Sequence, residues 1–452
     1  MRLLTIMVIC STFLFAQQNE ITSERKKRRS RLAAQMQNNS VLMIFSPEVK
    51  HKNSDIHYEY RTSSNLYYLT GITQPQTILI IEKQPQKVIE HLFIAPKDWY
   101  DEMWEGKRLT PQQAQNISGI SSVHSHKKFS SFTQTLHATS QLYLEIEDAA
   151  WISRKLYDKY NGSAILLKKD TTSCKSLVAN LRFLKSKYEI DCLRKAIVIT
   201  ESGLRKAVKM MTPGMYEYQI EAQIEYAYKE NNADWGFPSI VAAGENAAIL
   251  HYTKSQGVLE ANDLVLMDVG AAYKYYSADI TRTVPASGKF TVRQKQIYEL
   301  VLQANIDALQ AVKLGASLYD IHRRAVKTIK NGLYELGLTT KRDSDQYRIF
   351  FMHGTCHWLG LDTHDVAGDI KTISVGSVFT IEPGIYIGPN TITMARMFYG
   401  DDFAMKIASK VKEYMNTCVR IEDDIWMSEN GPVVLSTGIP KAVTEIEELM
   451  AK

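Results

Sequence analysis

The sequence predicts a two-domain protein of the mixed α/β (α+β) class, with a smaller N-terminal and a larger C-terminal domain. At 452 residues, the chain is longer than one ordinary hydrophobic core supports. Short apolar runs separated by polar turns occupy residues 41–95, as in a sheet. From about residue 187 the apolar residues recur at helical spacing instead. This change of pattern predicts the boundary between the two domains.

The first residues have the pattern of a secretory signal peptide. Arg2 is followed by the apolar stretch LLTIMVICSTFLFA, which ends at Ala16 before the polar QQNE. A bilayer takes about 20 residues to span, so we expect cleavage after Ala16 and a secreted or periplasmic protein. Leu14 stands where a small residue is preferred, so an uncleaved leader that anchors the chain is the alternative. No second segment approaches transmembrane length, and stable membrane insertion is not expected.

A run of basic residues, 25–31, supplies much of the net charge of +5. Binding of this run to nucleic acid or to a membrane is one interpretation, but the charge is mild and no nucleic-acid partner is expected. Leu32 and Met36 continue the segment, so we predict that the run forms the solvated face of a first helix. The cysteines show no CxxC pair, which predicts neither a zinc knuckle nor a disulfide framework.

The domains are predicted as a leader at 1–16, a first domain at 17–182 and a second at 183–452. In the first domain, the runs VLMIF, NLYYLTG, TILIIEK and HLFIAP predict strands. In the second, residues 214–220 and 315–321 are alike, and each opens a helix after an earlier helical stretch. This weak repeat predicts two similar helix–helix–strand halves.

Asp268 in VLMDVG and Asp279 in SADITRT are carboxylates within apolar strands, which is costly unless a positive group meets them. The segment between them predicts a hairpin whose turn is centred on Tyr273 and Lys274. That register would pair Asp268 directly with Asp279 on one face of the ladder. Like charges so placed repel each other unless a metal ion or a shared proton lies between them. Metal binding is the interpretation we favour, and hydrogen bonds between the two carboxylates and Thr281, Thr283 or Arg282 are the alternative.

Three further residues complete a set of metal-ligand type. Glu422 in VRIEDD shares one side of its strand with Arg420, and Glu382 lies where TIE meets Pro-Gly at a strand end. His357 in HGTCHWLG adds an imidazole. Four carboxylates and one imidazole suit two divalent cations that share bridging oxygens, which indicates a hydrolase. A structural calcium site is the alternative, but calcium takes oxygen ligands and His357 counts against it.

Several segments, taken in order, resemble the Xaa-Pro aminopeptidases. They are GENAAILHYT, LVLMDVGAAYKYYSADITRTVPASGKFT, HGTCHWLGLDTHD, IEPGIYI and VRIEDD. The larger family is that of the pita-bread-fold metallopeptidases, which includes prolidase and methionine aminopeptidase. The resemblance covers most of 185–445 and extends more weakly through SDIHYEYRTSSNLYYLTGI and DEMWEGKRL. It implies a pita-bread catalytic domain behind a creatinase/prolidase-type N-terminal domain.

The resemblance also implies roles for the matching residues. Asp268 and Asp279 would bind a first metal ion, His357 and Glu382 a second, and Asp279 and Glu422 would bridge the two. Manganese is the implied metal, and the oxygen-rich ligand set independently favours a hard ion, while one imidazole leaves zinc or cobalt open. The implied reaction is hydrolysis of the bond before a proline in second position, by a hydroxide that bridges the ions.

Further roles follow from the same resemblance. His251 and His364 would polarise the substrate carbonyl, and Glu382 would pass a proton to the departing proline nitrogen. A homo-oligomer, a dimer or a tetramer, is expected. The implied substrate-binding residues are Asp55 from a neighbouring subunit, His353, Tyr386 and Arg420.

The chain departs from the family pattern at residues 388–418, a segment longer than we expect for bacterial relatives. It borders the site, and either it binds a partner or another copy in an oligomer, or it is an inert surface excursion. Two alternatives in function stay open. One is a prolidase that cleaves only Xaa-Pro dipeptides, and the other is a metal-free relative of the same fold, which the five ligand types disfavour.

Overall fold

The computed structural model describes residues 2–136, 141–145 and 171–451. Two compact units make up the chain, Met1–Arg182 and Phe183–Lys452, and each has a hydrophobic core of its own. Among the described residues, no helix is both long and apolar enough to span a bilayer. Residues 2–16 of the predicted leader lie in the first helix, and cleavage of the leader stays a prediction.

The first unit is built on a five-stranded mixed sheet in the order β6-β5-β4-β1-β7. Its strands are β1 (Ser40–Phe45), β2 (His51–Asn53), β3 (Ile56–His57), β4 (Ile78–Lys83), β5 (Val88–Ile94), β6 (Ser122–Ser125) and β7 (Gln141–Glu145). Its helices are α1 (Arg2–Gln35), α2 (Ser64–Thr70), α3 (Trp99–Glu105), α4 (Pro111–Ser118), α5 (Phe129–Phe132) and α6 (Thr171–Phe183), which runs into the second unit.

The prediction of a strand for NLYYLTG is wrong, because this segment forms helix α2. Ser63 caps its start by accepting a hydrogen bond from the amide of Leu66, and Gly71 ends it with a φ of 71°. Leu66 and Leu69 are buried three residues apart, which is helical spacing. In so short an apolar run, the two capping residues decide between helix and strand.

The prediction of a solvated basic face on α1 is wrong for Arg25, Arg28 and Arg29, which are buried. Their guanidinium groups donate to carbonyls at the C-terminal ends of α2 and α4. Arg29, for example, donates to the carbonyls of Leu69 at 2.7 Å and Ser118 at 2.9 Å. The last turn of a helix presents free carbonyls and a partial negative charge, so these arginines stabilise two helix ends at once.

The second unit packs pairs of helices on short antiparallel sheets, in the orders β13-β10-β9, β12-β11-β8, β14-β17-β18 and β15-β16. Its strands are β8 (Asp234–Trp235), β9 (Ile240–Ala243), β10 (Leu264–Val269), β11 (Ala271–Tyr273), β12 (Tyr276–Ser277), β13 (Ile280–Pro285), β14 (Val378–Ile381), β15 (Gly384–Ile387), β16 (Thr417–Arg420), β17 (Asp423–Ser428) and β18 (Gly431–Val434). Its helices are α7 (Lys187–Met210), α8 (Glu217–Glu230), α9 (Val292–Gln310), α10 (Leu318–Glu335), α11 (Thr391–Tyr399), α12 (Asp401–Glu413) and α13 (Val443–Met450).

The predicted internal repeat appears as two equivalent helix entries. Gly214 precedes α8 with a φ of 90°, and its amide donates to Leu259. Gly315 precedes α10 with a φ of 80°, and its amide donates to Ile373. Each entry also makes one isolated antiparallel bridge, Tyr216 with Val258 and Ser317 with Thr372. The same backbone frame is therefore built twice.

The segment 388–418 forms the helical hairpin of α11 and α12. Its residues Ala395, Phe403, Ile407 and Val411 are buried in the core of the second unit. The segment is therefore part of that core, although Met397, Phe398 and Met405 remain exposed on its outer side.

Candidate metal centre

Strands β10 and β13 pair antiparallel, but in a register that differs from the predicted one. Asp268 faces Thr281 and not Asp279. The turn lies one residue later than predicted, at Lys274 and Tyr275, whose φ values of 50° and 71° are those of a type I′ turn. Asp279 precedes Thr281 by two residues, so it still shares a face with Asp268, one diagonal step along the ladder.

The imidazole of His357 lies at the centre of the acidic cluster. Its Nε2 is 3.3 Å from Oδ2 of Asp279, 3.7 Å from Oε1 of Glu382 and 3.9 Å from Oε1 of Glu422. Its Nδ1 lies 3.1 Å from the carbonyl oxygen of Trp358, which assigns the proton to Nδ1. The Nε2 lone pair is therefore directed at the carboxylates, as in a metal ligand.

Burial and mutual repulsion raise the pKa of the clustered carboxylates. Asp279 has a pKa well above its usual range because of burial first, and then the charges of Glu422 and Asp268. Burial and the charge of Glu422 do the same for Glu382. The pKa of Glu422 is raised to about 7 by burial and by Asp268. A divalent cation among these groups would remove the repulsion.

The cluster has the donor set and the spacing of a cation site. Asp279, His357 and Glu422 each offer one ligand atom, and these atoms lie within 4.8 Å of one another. Oδ1 of Asp268 and Oδ1 of Asp424 are buried and have no hydrogen-bond partner within the described part of the chain. Buried carboxylate oxygens without donors fit a hard divalent ion, so the residues present suit metal ligation.

A chain of hydrogen bonds supports the ligands from behind. Arg420 donates to Asp268, to the hydroxyl of Tyr386 at 2.8 Å and to the hydroxyl of Thr281 at 3.2 Å. The Thr281 hydroxyl in turn donates to Oε2 of Glu422 at 2.6 Å. All five side chains are largely buried, so this network holds two carboxylates of the cluster in place.

The other predicted histidines interact with residues of the cluster or with one another. Nε2 of His353 accepts from the hydroxyl of Tyr386 at 2.8 Å, and burial followed by the charge of Arg420 lowers its pKa to about 3. The ring of His364 lies 4.4 Å from that of His357, and burial lowers its pKa. His251 is exposed, and its charge contributes, after burial, to the lowered pKa of both His353 and His364.

Two family models match the chain. Metallopeptidase family M24 matches residues 191–429, and the aminopeptidase P N-terminal domain matches residues 25–143. The chain belongs to metallopeptidase family M24. It is therefore a hydrolase of a family that uses divalent metal ions, as the ligand set predicts. The predicted pita-bread catalytic domain and aminopeptidase P-type N-terminal domain are confirmed.

Curated relatives of this M24 member span nearly its whole length. An Xaa-Pro aminopeptidase of Haemophilus influenzae is 34% identical over 94% of this chain and 97% of its own. One of Escherichia coli is 33% identical over the same shares. Among solved structures, an Escherichia coli aminopeptidase P in complex with substrate aligns with a TM-score of 0.85 and 31% identity, over 95% of this chain and 98% of that one.

One functional neighbour in this M24 site escaped the sequence analysis. Asp424 accepts the backbone amide of Asp279 at 3.1 Å, and burial raises the pKa of its carboxyl well above the usual range. Thr281, which the sequence offered as a hydrogen-bond partner of Asp268 and Asp279, donates instead to Glu422 and joins it to the supporting network. The three consecutive acidic residues in IEDD indicated this strand. Asp423 is not part of the cluster, because its carboxylate pairs with the guanidinium of Arg282 at 2.8 Å.

Asp55, which was predicted to bind substrate from a neighbouring subunit, lies in the exposed turn between β2 and β3 of the first unit.

Proposed function

We propose that this M24 peptidase removes the N-terminal residue from peptides whose second residue is proline. The observation that carries the proposal is the buried group of Asp279, His357 and Glu422, whose ligand atoms lie within 4.8 Å of one another. The relatives named Xaa-Pro aminopeptidase, which match nearly end to end, support this substrate class.

We infer two divalent ions at this group. Asp268 and Asp279 would hold the first, His357 and Glu382 the second, and Asp279 and Glu422 would be shared. Bound divalent ions supply a Lewis acid and an activated water at neutral pH. Manganese is our choice because carboxylate oxygens dominate the ligand set, with zinc or cobalt as alternatives.

Glu382 is the carboxylate that we assign to proton transfer. Its side chain keeps 17% exposure, whereas that of Glu422 keeps 2%, so substrate can reach Glu382 more readily. It takes a proton from the attacking water and passes it to the proline nitrogen as the bond breaks. That nitrogen carries no proton in the substrate, so proton delivery is needed for its departure.

The histidines would bind the substrate carbonyl and the proline. His251 and His364 donate hydrogen bonds to the carbonyl oxygen as negative charge develops there. His353 is held neutral, and Phe351 packs edge-on against its ring at 4.9 Å. Together with Tyr386, these rings offer an apolar wall for the proline ring. Asp55 of a neighbouring copy would meet the free amine of the substrate.

Hydrolysis of peptides of increasing length tests the function. Purified protein with Mn²⁺ should cleave the first bond of a long Xaa-Pro peptide as well as Gly-Pro, and Asp279→Ala should abolish both activities. Cleavage of Gly-Pro alone would assign a prolidase instead. Turnover at the wild-type level in Asp279→Ala would refute the metal-dependent mechanism.

A homo-oligomer, dimer or tetramer, is the proposed assembly. Helix α3 exposes Trp99 by 78%, Met103 by 63% and Trp104 by 67%, and Tyr100 beside them is also exposed. Aromatic residues and methionine are enriched at protein interfaces. Light scattering of the wild type and of Trp99→Ser with Trp104→Ser tests whether this patch joins copies of the chain, since loss of these rings should give monomers.

Export is the proposed localisation, with the leader at 1–16 removed. Mass spectrometry of the protein from its own cells should then find Gln17 as the first residue. A retained leader would favour the membrane-anchored alternative.

A further inference from the structure

Glu217 is a fully buried carboxylate at the start of α8 that the metal cluster does not use. Its two oxygens accept four hydrogen bonds, and every donor belongs to the loop 243–257. Among the residues that the structure describes, no side chain or amide outside this loop donates to the carboxylate. The donors are the Ala243 amide at 2.7 Å, Asn246 Nδ2 at 3.0 Å, the Tyr252 hydroxyl at 2.9 Å and the Gly257 amide at 2.6 Å.

These bonds hold the loop at both ends and in the middle. Ala243 and Gly257 are its two end residues, and Tyr252 adjoins His251. The approach is close at Gly257, where an added Cβ would lie 2.8 Å from Oε1 of Glu217. The loop is therefore wrapped directly around the carboxylate.

The far side of the loop packs against the strand that carries Tyr386. Tyr252 and Ala247 share a buried apolar cluster with Tyr386. A Cβ added at Gly388, at the end of the same strand, would meet the Cβ of Ala248 at 2.4 Å. The position of the loop thus determines where His251 lies relative to Tyr386, which the proposed function places against the proline ring.

The internal repeat shows that the local fold does not need this carboxylate. The entries to α8 and α10 share the same glycine conformation, amide hydrogen bond and antiparallel bridge. At the position that matches Glu217, three residues after the glycine, the second half has Leu318. The same backbone conformation forms with an apolar residue at this position, so Glu217 has a role that is specific to the first half.

We propose that Glu217 is a positioning residue for His251, which it holds at the substrate carbonyl by anchoring both ends of the loop 243–257. The proposal rests on the proposed function, because it takes His251 as a group that meets substrate. A fixed anchor matters because small displacements of a positioning group cost large factors in rate.

A double-mutant cycle of Glu217→Gln with His251→Ala tests the proposal. Glutamine replaces one carboxylate oxygen by an NH2 group, which cannot accept hydrogen bonds. Each oxygen of Glu217 accepts two hydrogen bonds from the loop, so two of the four bonds are lost. We expect kcat/KM on an Xaa-Pro peptide to fall about 100-fold in the wild-type background. In the His251→Ala background the further loss should be less than about threefold, because the two residues act as a unit. An equal loss in both backgrounds would overturn the proposal.

Hydrogen exchange gives a readout that does not depend on activity. In Glu217→Gln, one of the two end amides should exchange faster, that of Ala243 or that of Gly257, because each bonds to a different oxygen of Glu217 and only one oxygen is replaced. Bound metal should stay at the wild-type level. Unchanged exchange of both amides would overturn the proposal. The matched control is Glu230→Gln at the other end of α8, an exposed carboxylate 3.0 Å from Lys206, which should alter neither the loop nor the rate.

If Glu217→Gln does not fold, Gly257→Ala displaces the same loop without removing a charge. It should lower kcat/KM in the wild-type background and not in the His251→Ala background. Failure of the wild type to cleave any Xaa-Pro peptide would refute the proposed function, and the exchange measurement would still report on the anchor. A His251→Ala variant with wild-type kcat/KM would overturn the positioning role alone.

Discussion

Replacing Thr281 by valine should weaken metal binding without unfolding the protein. The hydroxyl of Thr281 donates to Oε2 of Glu422 at 2.6 Å and accepts from Arg420 at 3.2 Å. Valine keeps the volume and the β-branched shape that suit the middle of strand β13. The substitution therefore removes one oxygen atom from the support of a proposed bridging ligand and little else.

The expected magnitude follows from the lost hydrogen bond. A buried hydrogen bond to a charged group contributes about 1.5–3 kcal/mol. If this contribution orients Glu422 for the metal, its loss weakens metal affinity by about 10- to 100-fold, since 1.4 kcal/mol corresponds to a factor of ten. At saturating metal, kcat should fall much less, because Thr281 contacts neither the substrate nor the attacking water in the proposed mechanism.

Thr283→Val is the matched control. Thr283 lies two residues along the same strand and is equally buried, but its hydroxyl bonds to the backbone carbonyl and amide of Arg420. It should lower the free energy of unfolding by about 1 kcal/mol and leave metal affinity unchanged. Titration of metal-free protein with Mn²⁺, followed by calorimetry, measures both variants. Equal metal affinities for Thr281→Val, Thr283→Val and the wild type would refute the reasoning.

Three further predictions concern stability. In metal-free protein, the pKa of Glu422 is raised to about 7, and those of its neighbours Asp279 and Glu382 are also raised, so the folded state holds protons that the unfolded chain releases. Urea unfolding should therefore show stability falling as the pH rises from about 4.5 to 7, and saturating Mn²⁺ should abolish that dependence. Arg282→Met should cost about 3–5 kcal/mol in the free energy of unfolding, because it removes the guanidinium 2.8 Å from the buried Asp423; a loss below 1 kcal/mol would contradict this. Arg29→Met should lower the melting temperature of the first unit, since two helix-end carbonyls lose their donor; an unchanged melting curve would contradict it.

The ligand set was predictable because a carboxylate inside an apolar strand needs a positive partner wherever the strand lies. The face shared by Asp268 and Asp279 was also predictable, although their direct pairing was wrong. Side chains alternate between the two faces of a sheet, so two residues on paired strands share a face when they are an even number of positions apart along the ladder. Asp279 lies two positions from the residue that pairs with Asp268, so the two carboxylates still share a face. The turn itself was misplaced because Lys274 and Tyr275 adopt positive φ without the Asn-Gly pair that usually marks a type I′ turn.

The basic run shows where local pattern fails. Charge alone predicts exposure, but Arg28 and Arg29 are buried because helix ends at residues 68–69 and 118 supply carbonyls that need donors. Those partners are 40 or more residues away along the chain. No period or motif in the run itself indicates them.

The amino-acid sequence by itself determined the family, the two-domain architecture and the identity of the candidate ligands, because these depend on residue types in ordered local motifs. Tertiary structure alone decided what surrounds them. The hydroxyl of Thr281 donates to Glu422, which lies 141 residues further along the chain. Glu217 accepts hydrogen bonds from a loop that begins 26 residues after it. Such contacts arise when distant segments pack together, and buried polar atoms then take whichever partners that packing brings within reach.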